Sequence, residues 1–298
     1  MQDPGKQTDA RGLPPVEDIR TAYPNGHFYS PVVNTAELLD KKDRIWPDRL
    51  PAMPGIDLND RSHRRILAKW FPRYMPDYDY PEKLSGDQDE TRFHTHNSQF
   101  SWLDARTLFV FLRKVEPRRM IEVGSGFSSL LSADVNHRFL DDRCHFLCIE
   151  PYPRAFLLDG VPGMSELVTQ KVQDTPLAEF DKLTRGDILF IDSSHVCKTA
   201  SDVNFLYFEV LPRLKAGVLV HVHDIFLPFE YPVEWVMEDN RSWNEQYLLR
   251  ALLMYSRAFR VMFGCMYAQD KFPDLVERAL GLPAGGGFGG GSFWLKKR

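Results

Sequence analysis

A chain of 298 residues is long for one minimal domain but suits one α/β domain with extensions. Its 43% hydrophobic and 13% aromatic content is enough for a sizeable core and excludes disorder of the whole. With 37 Lys and Arg against 41 Asp and Glu, the net charge of -4 gives no reason to expect nucleic acid as a partner.

Residues 1–30 are rich in Pro, Gly, Asp and Gln without periodicity, which predicts a flexible tail. Residues 31–99 are irregular but carry Trp46, Trp70, Phe71, Tyr74, Tyr78 and Tyr80. Aromatics at that density predict an extension that packs onto a core. From Ser101 to Val115 the apolar spacing turns helical.

An alternation then begins. Met120–Val123 reads as a buried strand, followed by a glycine turn and a helix over Ser128–Asn136. Further strands are predicted at Cys144–Glu150, Leu167–Gln173, Asp187–Asp192 and Val218–His223, with a helix over Ala200–Arg213 before the last. Apolar strands separated by helices imply a parallel sheet covered on both faces. Ser242-Trp243-Asn244-Glu245 has the Ser-x-x-Glu form of a capping box and predicts a helix to about Tyr255. Phe259–Phe263 and Ser292–Leu295 are the final strands, separated by a glycine run, Gly285–Gly291, that reads as a mobile loop. The domain proper is residues 100–298.

Four cysteines, Cys144, Cys148, Cys197 and Cys265, form no Cys-x-x-Cys pair and fit reduced thiols of a cytoplasmic protein. No apolar run approaches the roughly 18 residues that span a bilayer, and Met1–Arg20 lacks the apolar region of a secretory signal. The expectation is therefore a cytoplasmic enzyme without a membrane partner, with a homo-oligomer left open.

In open parallel sheets ligands bind beyond the carboxyl ends of the strands. Here those ends are Glu122, Glu150, Gln173 with Asp174, Asp192, and His223 with Asp224. Gly124-Ser125-Gly126 permits a sharp turn and close approach of a ligand to backbone, but a dinucleotide fingerprint would need glycine where Ser129 stands. Glu150 is placed to accept from ribose hydroxyls.

Glu122-Val-Gly124-Ser-Gly126 resembles motif I of class I S-adenosylmethionine-dependent methyltransferases, and Glu150 matches their acidic residue after strand two. Ile191-Asp192-Ser193-Ser194-His195, His223-Asp224-Ile225-Phe226 and Trp243-Asn244-Glu245-Gln246-Tyr247 resemble a bacterial, methyltransferase 24-like branch. Over roughly Phe100–Arg298 the resemblance implies a doubly wound, seven-stranded Rossmann-like sheet whose last strand is antiparallel between strands five and six. It implies S-adenosylmethionine as cofactor, held by Glu122, Gly124, Ser125, Gly126, Ser128, Glu150, Asp174 and Asp192, with Asp174 near the adenine and Asn97 and Phe100 in the cofactor wall.

Asp192, His195, His223 and Asp224 end neighbouring strands about 4.8 Å apart, so their side chains can share a pocket. Three readings stay open. A divalent metal at Asp192, His223 and Asp224 would lower the pKa of an acceptor hydroxyl, although histidines suit zinc or iron better than magnesium and Ile225 departs from the catechol-type pattern. Alternatively His195 or His223 is a general base oriented by Asp192 or Asp224. The third is loop hydrogen bonding alone. His221 reads as a satisfied core histidine, and His94-x-His96 lacks a further metal ligand. The segment Trp70–Tyr80 and the loop Phe226–Trp235 are expected to form a lid and substrate wall. The chain is thus expected to O-methylate a small molecule. The rival readings are a non-catalytic cofactor-binding module and a nucleotide-dependent oxidoreductase.

Overall fold

A computed structural model describes residues 21–84, 92–100, 102–281 and 290–298. The first twenty residues of the expected tail, and residues 285–289 of the glycine run, lie outside the described residues. Seven strands form one sheet: β1 Arg119–Val123, β2 His145–Ile149, β3 Glu166–Val168, β4 Ile188–Ile191, β5 Leu219–Val222, β6 Phe259–Gly264 and β7 Phe293–Lys297. Their order is β3-β2-β1-β4-β5-β7-β6. β7 runs antiparallel to both β5 and β6, and the other pairings are parallel, as expected for a doubly wound α/β sheet.

The central strands are apolar because both their faces are covered: all four residues of β4 are buried. The helix Trp102–Val115 is buried over nine of its fourteen residues. Its Phe111 stacks on Trp294 of β7 at 4.2 Å. The strand order reverses between β1 and β4, so the chain winds outward from that seam in two directions and opens a crevice at the carboxyl ends there.

Two local expectations are corrected. The third strand ends at Val168, and Gln173 with Asp174 lies on a short 3-10 turn, Val172–Asp174. The pattern Ser242-x-x-Glu245 is not a capping box. The helix is Glu245–Leu253 with Asn244 at its N-cap and no side-chain cap, while Ser242 Oγ accepts from Val33 N–H at 3.0 Å. Glu245 turns inward instead, because a buried histidine supplies a stronger partner than the helix end.

The extension packs on the sheet through Leu58, Ile66, Leu67, Trp70, Phe71 and Phe93, all buried. It also finishes the edge strand β6. Asn59 Nδ2 donates to Val261 O at 2.6 Å, and Gly264 N–H donates to His63 Nε2 at 2.8 Å. Burial lowers the His63 pKa to about 4, so the ring stays neutral and can accept that bond. Among the described residues, no helix is long and apolar enough to cross a membrane.

Candidate functional site

At the seam between β1 and β4 the chain leaves β1 through Gly124, whose φ of +81° only glycine adopts freely. A Cβ there would stand 1.7 Å from the carbonyl oxygen of Asp192, so the turn and the end of β4 are locked together. The next N–H groups line a cavity of about 600 Å³. Ser125 N–H donates to Glu150 Oε2 at 3.1 Å and Tyr152 N–H to Glu150 Oε1 at 2.8 Å, fixing that carboxylate after β2. Gly126 N–H donates to Ser129 Oγ at 3.0 Å and opens the helix Phe127–Phe139. The hydroxyls of Ser125 and Ser193 are buried beside the cavity without a protein partner, which suits a polar ligand.

The expected cofactor residues divide into two groups. Gly124, Ser125, Gly126, Ser128, Glu150 and Asp192 line the cavity, as does Phe100. Glu122 and Asp174 do not. Glu122 is fully buried beneath the turn, where Ser128 Oγ donates to it and Cys148 Sγ lies 3.7 Å away. Burial pushes its carboxyl up to about 8, so near neutral pH it carries a proton more often than a charge. Asp174 is exposed on its 3-10 turn. Asn97 stands behind the wall, accepting from Gln99 and Phe100 N–H and donating to His94 and Phe100 carbonyls.

At the opposite end the cavity is acidic and histidine-rich. His195 sits at φ +60°, an uncommon conformation that aims its ring between three carboxylates. Nε2 lies 3.4 Å from Asp192 Oδ1 and 3.4 Å from Asp224 Oδ2. Nδ1 lies 3.0 Å from Oε2 of Glu245, a residue with no exposed surface. The N–H groups of Asn244 and Glu245 both donate to the carbonyl of His195 at 3.1 Å, tying the helix start to this loop. His223 Nε2 is 3.6 Å from Asp224 Oδ1, its Nδ1 is buried without a partner, and its ring leans on Phe100 at 5.2 Å. One ligand atom from each of Asp192, His223 and Asp224 falls within 4.8 Å of the others, spacing that a single cation can bridge.

Burial opposes charge on His195, but the carboxylates of Asp192 and Glu245 hold it well above the ordinary imidazole range. His223 is likewise raised against burial by Asp224 and Asp192. Burial raises Asp192 too, yet His223 and His195 hold it below the usual carboxylate range. Asp224 ends above that range, burial outweighing the same two rings. His221 differs. It stacks on Phe190 at 3.8 Å, Nε2 meets Ser292 Oγ at 2.9 Å, and burial lowers its pKa well below normal. It is a core histidine, as its position on β5 predicts.

Other expectations are redistributed. Trp70, Tyr78 and Tyr80 pack on Phe111, Phe109 and Phe93 and do not line the cavity, so that segment is core and not lid. From the loop Phe226–Trp235 only Trp235 reaches the cavity. Beyond it Arg241 and Trp243 complete the wall, with the guanidinium 4.2 Å over the ring of Trp235 and 5.0 Å over that of Trp243. His94 packs edge-on to Phe127 and His96 against Trp102, apart from the cluster. Sequence reasoning missed Glu245 and Arg241. Glu245 stands in the sequence as a capping residue and motif member but not as the partner of His195, which the fold supplies across 50 residues, and Arg241 stands in no motif.

The sequence model of a methyltransferase domain matches residues 121–225, the stretch that contains both ends of this cavity. An uncharacterized protein of Archaeoglobus fulgidus is 35% identical over 184 residues, covering 60% of this chain and 81% of the archaeal one. Residues 121–225 belong to the methyltransferase-domain family. Among solved structures, it is similar to a methyltransferase from Podospora anserina bound to SAH, with 14% identity and a TM-score of 0.40. That likeness covers 94% of this chain and 100% of the fungal one. It is also similar to an O-methyltransferase from Streptomyces achromogenes involved in tomaymycin synthesis, in complex with SAM. There the identity is 16% and the TM-score 0.37, over 80% of this chain and 90% of that one.

Proposed function

We propose that this methyltransferase-family protein transfers a methyl group from S-adenosylmethionine to a hydroxyl group of a small molecule. The observation that carries the reading is one cavity with two unlike ends, a backbone-lined turn at Gly124–Gly126 and a polar cluster at Asp192, His195, His223 and Asp224. The first end suits the cofactor. Glu150 keeps lone pairs beyond its two backbone bonds for ribose hydroxyls, and the hydroxyls of Ser125 and Ser193 can pair with polar cofactor groups. The second end suits an acceptor that must lose a proton.

The transfer is an in-line displacement. The acceptor oxygen bonds to the methyl carbon, the carbon–sulfur bond breaks with its electron pair going to sulfur, and the hydroxyl proton passes to the cluster. The chain's part is to align the reactants and exclude water. Asp192 stands between the two ends and helps to define both. Asp192, His223 and Asp224 have the spacing to hold a divalent ion, which when bound would lower the pKa of the hydroxyl. The imidazole of His223 among these donors suits zinc or iron better than magnesium.

A metal-free reading rests on a separate observation, the 3.0 Å contact of His195 Nδ1 with Glu245. That carboxylate aims Nε2 at the cavity, and because its acidic neighbours keep the ring protonated near neutral pH, His195 serves as a base only above its raised pKa. Net charge of -4 and an acid-rich wall argue against a polyanionic acceptor.

Calorimetry with S-adenosylhomocysteine tests the cofactor, and micromolar binding is expected; no heat and no thermal stabilisation would overturn the reading. A methyl-transfer assay with chelator, then zinc, manganese or magnesium added back, separates the two chemistries.

A further inference from the structure

Beyond the Arg241 and Trp243 wall of the acid-histidine cavity lie two further cavities. Arg241 and Trp243 also line a second cavity of about 470 Å³, and Trp46 and Glu230 connect that one to a third of about 510 Å³. The second is bounded mainly by Pro31, Val33, Leu38, Ile45, Trp46 and Tyr231. The third continues past Phe226, Phe229, Pro232 and Met266. Beyond the Arg241–Trp243 partition the imidazoles are gone and apolar side chains share the walls with Glu230, Ser242, Asn244, Gln269 and Asp270.

Both walls of this trough are held in place by bonds that cross it. Val33 N–H donates to Ser242 Oγ at 3.0 Å, and Trp46 Nε1 donates to the carbonyl of Tyr231 at 2.7 Å. The strap of residues 31–46 thus closes over the loop that follows β5. Every residue lining the second and third cavities lies outside 121–225, the part that matches the methyltransferase domain. The reacting end is built from the shared domain, and the trough from what this chain adds to it.

We propose that the acceptor is an elongated amphiphile. Its hydroxyl lies among Asp192, His195, His223 and Asp224, and its apolar segment runs past Arg241 and Trp243 into the trough beneath the N-terminal strap. The assignment rests on the methyltransferase reading for the hydroxyl end. Arg241 and Trp243 are wall residues of both cavities, which commits the trough to the acceptor, and the Arg241 side chain must swing aside for the apolar segment to pass. A compact, wholly polar acceptor would leave this apolar surface wet, and burying it favours each added methylene by about 0.8 kcal/mol.

Straight-chain primary alcohols from butanol to nonanol, titrated calorimetrically into the full chain with and without S-adenosylhomocysteine, provide the test. Affinity is expected to rise about fourfold per methylene at intermediate lengths, the fold-change that this burial energy gives. Val33→Asp and, separately, the milder Leu38→Ser should flatten that dependence while leaving S-adenosylhomocysteine affinity unchanged. Either variant with an unchanged melting temperature suffices. No rise with chain length in the natural protein, or the same rise in a folded variant, would overturn the proposal. Failure of S-adenosylhomocysteine to bind would overturn the methyltransferase reading instead, and the alcohol series without it still decides the trough.

Discussion

At the glycine turn the cavity wall is mostly backbone, whereas at the ends of β4 and β5 it is mostly charged side chain. Gly124 is fixed by its φ and by the carbonyl of Asp192, and Glu150 by two N–H groups. His195, by contrast, is fixed by three carboxylates, one of them 50 residues away on another element. The first end tolerates changes of side chain but not of shape. The second tolerates changes of shape poorly and changes of charge worse, because each buried charge there has the others as partners.

The comparison breaks most visibly at Gly124. Gly124→Ala adds a methyl group at a positive φ and against the Asp192 carbonyl, so a loss of about 3 kcal/mol or more is expected, read as a collapse of the thermal melt. Gly126→Ala is its control. Its φ is outside the left-handed region and the nearest atom to a new Cβ is Gln99 Oε1 at 3.9 Å, so its melt should move far less.

Charge changes at the other end should strike turnover harder than cofactor binding. Asp224→Asn is expected to lower methyl transfer by about 100-fold or more while leaving the Kd for S-adenosylhomocysteine within about threefold. Equal loss of both would show that the two ends are not separable. Glu245→Gln keeps the shape of the His195 partner but removes its charge. A fall of about tenfold in kcat with KM little changed is expected, and an unaltered kcat would reduce Glu245 to a structural role.

A pH effect on stability acts under the turn. The native state holds the Glu122 proton up to about pH 8, whereas the free carboxyl loses it near 4.5. The contribution is therefore complete below about pH 4.5 and is lost as pH rises through about 8. Glu122→Gln, which cannot ionise, should melt a few degrees above the natural protein at pH 8.5 and close to it at pH 5. Parallel curves would remove the charge argument.

The backbone-built end was the more legible in sequence. Gly124, Gly126 and Glu150 are local: a strand, a turn and the next strand end announce them. The sheet was legible for the same reason, since β1, β2, β4 and β5 are short apolar runs with polar ends. The third strand was overread because Val172 continues the apolar pattern, yet it packs from a 3-10 turn. The charged end was half legible. Asp192, His195, His223 and Asp224 sit at strand ends, but Glu245 carries a capping-box disguise that only its burial beside His195 removes.

The side chains of Asn59 and His63 occupy Val261 O and Gly264 N–H on β6, the strand that ends the sheet on that side. An open strand edge is a template on which another chain can polymerise. Here two side chains from the same polypeptide have taken part of that template already, and one of them, His63, stays neutral down to about pH 4. Acidification below that value would charge the ring, remove its capacity to accept and bare the edge. Growth of intermolecular β-structure should then begin at this margin of the sheet before it begins at β3, which offers only three residues to pair with.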